Sequence, residues 1–244
     1  MEGKGPEISL IIPAYNEGDR IGASLRRVSE FIDRYDRTVE VLIVDDGSRD
    51  KTAEVVTYFI EEFRPDSSFS LLDYGGNRGK GYAVAYGFRR ARGRYLVFSD
   101  TDLSAPIGQI PLLIDSLEAG ADLAIGSRRL SGSQVEGLPA RRKIMGWFFA
   151  HLSKWLLSLD YADTQCGFKA YRREAAEKLI ANQTIEGYTF DVEHLLSAKR
   201  LGLKVEEVPI HWIYTEGSQV NGLSDSWKMF KDLLALRKRV GERR

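Results

Sequence analysis

Two aspartates separated by a single residue, Asp100-Thr101-Asp102, follow the apolar run at residues 95–99. Carboxylates at that spacing on a strand end can point at one divalent cation. Mg²⁺ and Mn²⁺ prefer oxygen ligands and share them with substrate phosphates. A cation bridging a diphosphate would stabilise a departing nucleotide as charge builds on it. An Asp-x-Asp alone is weak evidence and more often an exposed turn; its place after an apolar strand, beside two other acidic strand ends, reverses that in favour of the ligand reading. Those other ends are Tyr15-Asn16-Glu17 and Asp45-Asp46-Gly47-Ser48. In the second, an Asx turn with Ser48 capping the next helix still leaves one acid for a nucleobase or ribose. Asn77-Arg78-Gly79-Lys80-Gly81 offers two glycines for close backbone approach to a ligand and Lys80 as a point charge for phosphate. The GxxxxGK[ST] spacing is absent and no GxGxxG directly follows the first strand, which counts against a Walker loop and a dinucleotide cofactor.

The elements that must position these groups follow from periodicity. Apolar strands are expected over residues 8–12 (stopped by Pro13), 39–44, 70–73, 95–99 and 122–125. Helices are expected over 20–35, 51–63, 82–92 and 106–118, the first with Ile21, Leu25, Val28 and Ile32 on one stripe. Nearly all-apolar strands alternating with helices imply a parallel sheet covered on both faces, with ligands at the carboxyl ends of the strands. After Gly126 the pattern changes to helices over 144–159, 189–201 and 225–239 and a late strand over 204–212. Helix 144–159 puts Ile144, Phe148, Leu152, Trp155, Leu156 and Leu159 on one face, behind Arg141, Arg142 and Lys143. It is either a core helix or an interfacial one. With no internal repeat or low-complexity linker, one catalytic domain with a C-terminal extension is expected.

Bulk properties narrow the class. The 244 residues are 43% hydrophobic and 29% charged, enough for a substantial core and a soluble surface. Equal numbers of basic and acidic residues, 35 each, argue against a nucleic-acid binder. Residues 237–244 carry five cations and one anion. That is a solvated tail or one drawn to anionic headgroups, at about 1 kcal/mol per basic residue near the surface. The single cysteine, Cys166, fits a reducing compartment and reads as a buried small residue rather than a nucleophile. With scattered His151, His194 and His211 it cannot build the usual zinc site. No signal peptide opens the chain and no apolar run reaches roughly 18 residues. A cytoplasmic protein with peripheral membrane contact is expected.

The succession PAYNE, VDDGS, NRGKGYAVAYGFRRARG and SDTD resembles the nucleotide-sugar half of glycosyltransferase family 2. IGSRR, DTQCGFKAYRREAAEKL, FDVEHLLSAKRLGLKVEEVPIHW and EGSQVN are similar to the dolichyl-phosphate (polyprenyl-phosphate) β-glucosyltransferases, with dolichyl-phosphate mannose synthases as cousins. The resemblance spans residues 8–237. It implies an α/β, GT-A-type Rossmann-like domain at 1–222, with a mostly parallel central sheet and helices on both faces. Its donor half would cover about 8–126 and its acceptor half about 127–222, followed by a C-terminal amphipathic, basic helix at 223–244.

Carried onto this sequence, the family's roles place Pro13, Ala14, Tyr15, Glu17 and Asp46 around the nucleoside, with Lys80 and Thr101 also on the donor. Asp100 and Asp102 would address ribose, diphosphate and Mg²⁺ or Mn²⁺. Mannose synthases often read DADLQ where this chain reads DTDLS, so Ser104 replaces a glutamine. Arg128, with Arg141 or Arg142, would hold phosphates of donor or acceptor. Asp163 and Gln165 would lie near the transferred sugar. Asp191 in FDVE falls where other members carry a base: it is catalytic, acceptor-orienting, or only a helix N-terminal acid favoured by the dipole.

The implied reaction is inverting transfer of a hexose, foremost glucose from UDP-glucose, to a polyprenyl or dolichyl phosphate at the cytoplasmic membrane face. A phosphate monoester with a second pKa near ~6 arrives ionised and needs positioning more than deprotonation. Two other readings stay open. One is a soluble or glycan hydroxyl acceptor, which would make Asp191 indispensable. The other is a non-catalytic nucleotide-sugar module, against which Asp100 and Asp102 beside Arg128 argue.

Overall fold

Every residue of β1 (Ile8–Ala14), β2 (Val39–Asp45), β4 (Tyr95–Ser99) and β5 (Leu123–Ser127) is buried. Strands sealed along their whole length need cover on both faces. The computed structural model describes residues 5–215 and 224–241, without the side chains of residues 141, 142, 144, 145, 224, 225, 240 and 241. Among these residues the cover comes from α1 (Ile21–Ile32), α2 (Thr52–Phe63), α3 (Lys80–Arg90), α4 (Ile110–Glu118), α5 (Ala140–Leu157), α6 (Arg173–Ala181), α7 (Phe190–Arg200) and α8 (Ser224–Gly241). The alternation within β1 shows how it works. Ile8, Leu10 and Ile12 pack on one side with Leu25 and Val28 of α1 and Leu113 and Leu117 of α4. Ile11 packs on the other with Val84 and Phe88 of α3 and Leu195 of α7.

The main sheet runs β3-β2-β1-β4-β7-β5-β8, with β3 at Phe69–Asp73, β7 at Phe168–Arg172 and β8 at Val205–Pro209. The pairs β2–β3, β1–β2, β1–β4 and β5–β8 are parallel, and β7 is antiparallel to both β4 and β5. A mostly parallel α/β sheet is therefore what forms. A small parallel pair joins β6 (Gln134–Glu136) to β9 (His211–Ile213).

Three expectations are corrected, and three elements had none. Pro13 does not stop the first strand. The β1–β4 ladder ends at Ile11–Phe98 while β1–β2 continues to Ala14–Asp45, so a residue without an N–H leaves no β4 partner unmet. The late strand is two strands in two sheets, because the chain leaves the main sheet after Pro209. β6, β7 and α6 carried no expectation, although β7 sits mid-sheet; its FKAYR mixes charge with aromatics and lacks an apolar run. The stripe of α5 is split lengthwise: Leu152 and Leu156 join the core, whereas Phe148 and Trp155 are exposed at 61 and 73%, as is Trp147 beside them at 57%. Among the described residues no helix is long and apolar enough to cross a membrane.

Candidate active site

Three strand-end loops meet because their polar groups stitch them together. Asp46 N–H donates to the Ala14 carbonyl at 2.8 Å, and the Thr101 hydroxyl to the Pro13 carbonyl at 2.6 Å. Asn16, at φ +52°, donates its N–H to Ser48 Oγ and accepts from Arg49 N–H. Ser48 does not cap α2. Its N–H and hydroxyl both donate to Asp45 Oδ1, and Asp50 instead accepts from Thr52 N–H at the head of that helix. The result is one cavity of about 820 Å³ lined by every donor-binding candidate: Pro13, Ala14, Tyr15, Glu17, Asp46, Lys80, Asp100 and Thr101, with Asp102. Asp46 arrives there already engaged. Its oxygens accept from Tyr74 Oη, Asn77 Nδ2 and the N–H groups of Arg78 and Gly79. Glu17 pairs with Arg20; burial lifts its carboxyl above the ordinary range against that partner.

Asp100 is placed by a glycine. A Cβ on Gly167 would sit 2.0 Å from the Asp100 carboxylate, and Asp100 N–H donates to the Gly167 carbonyl at 3.0 Å. Lys80, the first residue of α3, sets its ammonium 2.5 Å from Asp100 Oδ1. Asp102 accepts from Ser104 N–H at 3.0 Å. Burial, then the neighbouring Asp100 charge, pushes its carboxyl up. Two close carboxylates, one of them destabilised as an anion, are a donor set suited to a hard divalent cation. Among the described residues no cluster of three or more His, Cys, Asp or Glu side chains forms, so such an ion would take its other ligands from substrate or water.

A second cavity, about 890 Å³, shares Lys80, Asp100 and Asp102 with the first. Its polar lining includes Arg128, Arg129, Lys143, Gln165 and Asp191, and its apolar lining Leu138, Trp147 and Trp212. Arg128 is held rigidly: Nε and Nη2 donate to the two oxygens of Asp163 at 2.6 and 2.9 Å. Burial would raise the Asp163 carboxyl, but Arg128 holds it down at about 2. Asp163 itself is 2% exposed and lines neither cavity, so it positions Arg128. Asp191 is tied to the buried Lys169 at 2.7 Å, and burial raises its carboxyl. Cys166 is buried, and desolvation pushes its thiol up to about 12, as expected of an inert packing residue. The side chains of Arg141 and Arg142, and the EGSQVN segment, lie outside the described residues.

The model of Glycosyl transferase family 2 matches residues 9–180. This chain belongs to that family. Among curated proteins it is 33% identical to a dolichyl-phosphate beta-glucosyltransferase of Dictyostelium discoideum, covering 97% of this chain and 77% of the relative. It is 35% identical to one of Saccharomyces cerevisiae, over 94 and 74%, and 28% identical to the human one, over 96 and 75%. Among solved structures it resembles glucosyl-3-phosphoglycerate synthase of Mycobacterium tuberculosis in complex with Mn²⁺, UDP and glucosyl-3-phosphoglycerate. That match has a TM-score of 0.70 at 21% identity and covers 96% of this chain and 80% of that one. The resemblance read from the motifs holds, the fold is of that GT-A type, and the chain is a glycosyltransferase.

For this family member, one motif works differently from expectation. The glycines of NRGKG make room for protein. A Cβ on Gly79 would meet the Glu186 carbonyl at 2.7 Å, and one on Gly81 would meet Phe190 Cβ at 2.7 Å. The turn is thus a socket for residues 184–190. Glu193 tightens that segment, accepting from the N–H groups of Thr184 and Ile185 at 3.0 and 2.8 Å. α8 adds Met229, Asp232 and Arg239 to the donor cavity, and Arg239 donates to Thr184 Oγ1. Lys169, Gly167, Arg129 and these α8 residues were not among the candidates. Gly167 and Lys169 stood in the quoted DTQCGFK, but nothing in its spacing marks which neighbour each serves.

Proposed function

We propose that this glycosyltransferase moves a hexose, glucose from UDP-glucose, onto a dolichyl or polyprenyl phosphate with inversion at the anomeric carbon. The observation that carries the reading is the wall of Lys80, Asp100 and Asp102 common to both cavities. The first cavity presents backbone and carboxylates suited to a nucleoside. The second combines four cations, Lys80 among them, with aromatic walls, suited to a phosphate that carries an apolar tail. The relatives' names support this choice of sugar and acceptor. The fold neighbour's complexes with Mn²⁺ and UDP-glucose support the donor and the metal. We read residues 8–126 as the donor half, 127–222 as the acceptor half and 223–244 as an added helix.

Asp100 and Asp102 would hold Mg²⁺ or Mn²⁺, whose chemistry there is to neutralise charge on the leaving diphosphate. Arg128, fixed by Asp163, and Arg129 and Lys143 beside it draw the acceptor phosphate to the junction of the cavities. Arg129 hydrogen-bonds no carboxylate among the described residues. A phosphate oxygen attacks the anomeric carbon as the bond from that carbon to the UDP oxygen breaks; the electron pair leaves with UDP. No proton moves, so Asp191 serves to orient rather than deprotonate. Trp147, Phe148 and Trp155 of α5 and Trp227 of α8 are exposed, with the Arg237 guanidinium 5.3 Å from the Trp155 ring. This face suits peripheral contact with a membrane, here the cytoplasmic leaflet.

The test incubates purified protein with labelled nucleotide-sugars, a short polyprenyl phosphate and Mn²⁺, followed by extraction into organic solvent. Extractable label from UDP-glucose is expected. Asp102→Ala lowers it by about 10³-fold or more, the scale of losing a principal charge-stabilising group, with circular dichroism unchanged. Label that stays in the aqueous phase on a hydroxyl acceptor overturns the lipid reading.

A further inference from the structure

The cation nearest the aspartate pair belongs to the protein. Lys80 Nζ lies 2.5 Å from Asp100 Oδ1 and 5.1 Å from the centre of the Phe98 ring. Neither partner of the pair is sealed in: the side chains are 23 and 36% exposed. That sets it apart from the neighbouring Lys169–Asp191 pair, at 1 and 5%. Asp100 rests against Gly167, its carboxylate filling the space a Cβ there would take. Lys80 can move: its charge rides on a flexible four-carbon stem at the first residue of a helix, and both cavities open onto it.

A divalent ion and this ammonium want the same oxygen. In water alone the ion would have to evict a resident cation from Asp100 and gain only one further carboxylate. A nucleoside diphosphate changes both sides of the exchange. It brings oxygens for the ion and gives the displaced ammonium a new anionic partner within the same cavity. We propose that Lys80 is an internal counter-ion that occupies the aspartate pair of the empty enzyme, so that the metal enters only together with the donor diphosphate, which draws the lysine away. The proposal rests on the reading that Asp100 and Asp102 hold the metal. By linkage, metal and nucleotide then tighten each other by the same factor.

The experiment titrates Mn²⁺, followed by the electron paramagnetic resonance of the free aquo ion, into wild type, Lys80→Met and Asp102→Ala, each with and without UDP. In wild type, UDP is expected to tighten Mn²⁺ by at least tenfold. Lys80→Met should bind Mn²⁺ without UDP at least tenfold tighter than wild type does, with the effect of UDP correspondingly reduced. Lys80→Arg, which retains a cation, should keep the dependence on UDP. If Lys80→Met binds Mn²⁺ without UDP no better than wild type while wild type with UDP does bind it, the counter-ion role is wrong. If wild type with UDP binds no Mn²⁺, or Asp102→Ala binds it unchanged, the metal reading itself fails, which is a different result. Should Lys80→Met not fold, Lys80→Gln carries the same comparison.

Discussion

In the donor cavity the polar groups are engaged by the protein before any ligand arrives. Asp46 accepts from Tyr74, Asn77, Arg78 and Gly79, Asp45 holds Ser48, and Thr101 is tied to Pro13. Across the Lys80–Asp100 pair, the acceptor cavity is lined by Arg129 and Lys143 and walled by Trp147 and Trp212. One side is built by strand ends whose geometry the sheet fixes. The other is built by a helix, a small two-stranded sheet and side chains that reach in from loops. The contrast suits a ligand with a defined shape on the first side. On the second it suits one recognised by a charged head and an apolar body of variable length.

The largest expected effect lies at Arg128, which Asp163 fixes in the acceptor cavity. The unfolded Asp163 carboxyl ionises near 3.8 and the folded one near about 2. Its contribution, about 2 kcal/mol, is therefore complete above pH ~4 and disappears as pH falls towards 2. Asp163→Asn leaves Arg128 without its counter-ion and should cost about 3 kcal/mol at neutral pH. Denaturant titrations across pH should also show a flatter acid limb for the variant; an unchanged limb would remove Asp163 from its positioning role. Smaller in energy is Gly167→Ala, whose new methyl must displace Asp100. Transfer should fall about 100-fold, or about 2.7 kcal/mol, while the unfolding midpoint moves little. Normal turnover in that variant would show that Asp100 needs no fixed position. The open side gives the smallest effect. Replacing Trp147 and Trp155 with serine should weaken sedimentation with anionic liposomes by about tenfold and leave stability within about 0.5 kcal/mol. Misfolding instead would return α5 to the core.

The donor side was legible because its signals are local. An apolar run followed by acids marks each strand end, and periodicity places the helices between them. The acceptor side depends on pairings between distant residues, which no local pattern encodes. Asp163 looked like a contact to the sugar, yet its partner Arg128 stands 35 residues away. Gly79 and Gly81 suggested room for a ligand; Gly79 does line the donor cavity, but the space a side chain would take at either is filled by residues 185–190. Asp191 was visible as a first-turn acid of a helix, while its partner Lys169 was hidden in a strand whose lysine points into the core. Helix α5 announced an apolar stripe, but not that Leu152 and Leu156 would pack inward while Phe148 and Trp155 stay outside.

The placement of β7 between β4 and β5 bears on how the molecule comes into being. β5 pairs with β7 and β8 and with no earlier strand among the described residues. A nascent chain emerging from a ribosome can therefore pair β1 to β4, but leaves the flank of β4 open and β5 without a neighbour until residues 168–172 appear. For that interval an exposed strand edge bordered by apolar residues invites association with other chains. The topology thus leaves that edge uncovered until β7 has been made.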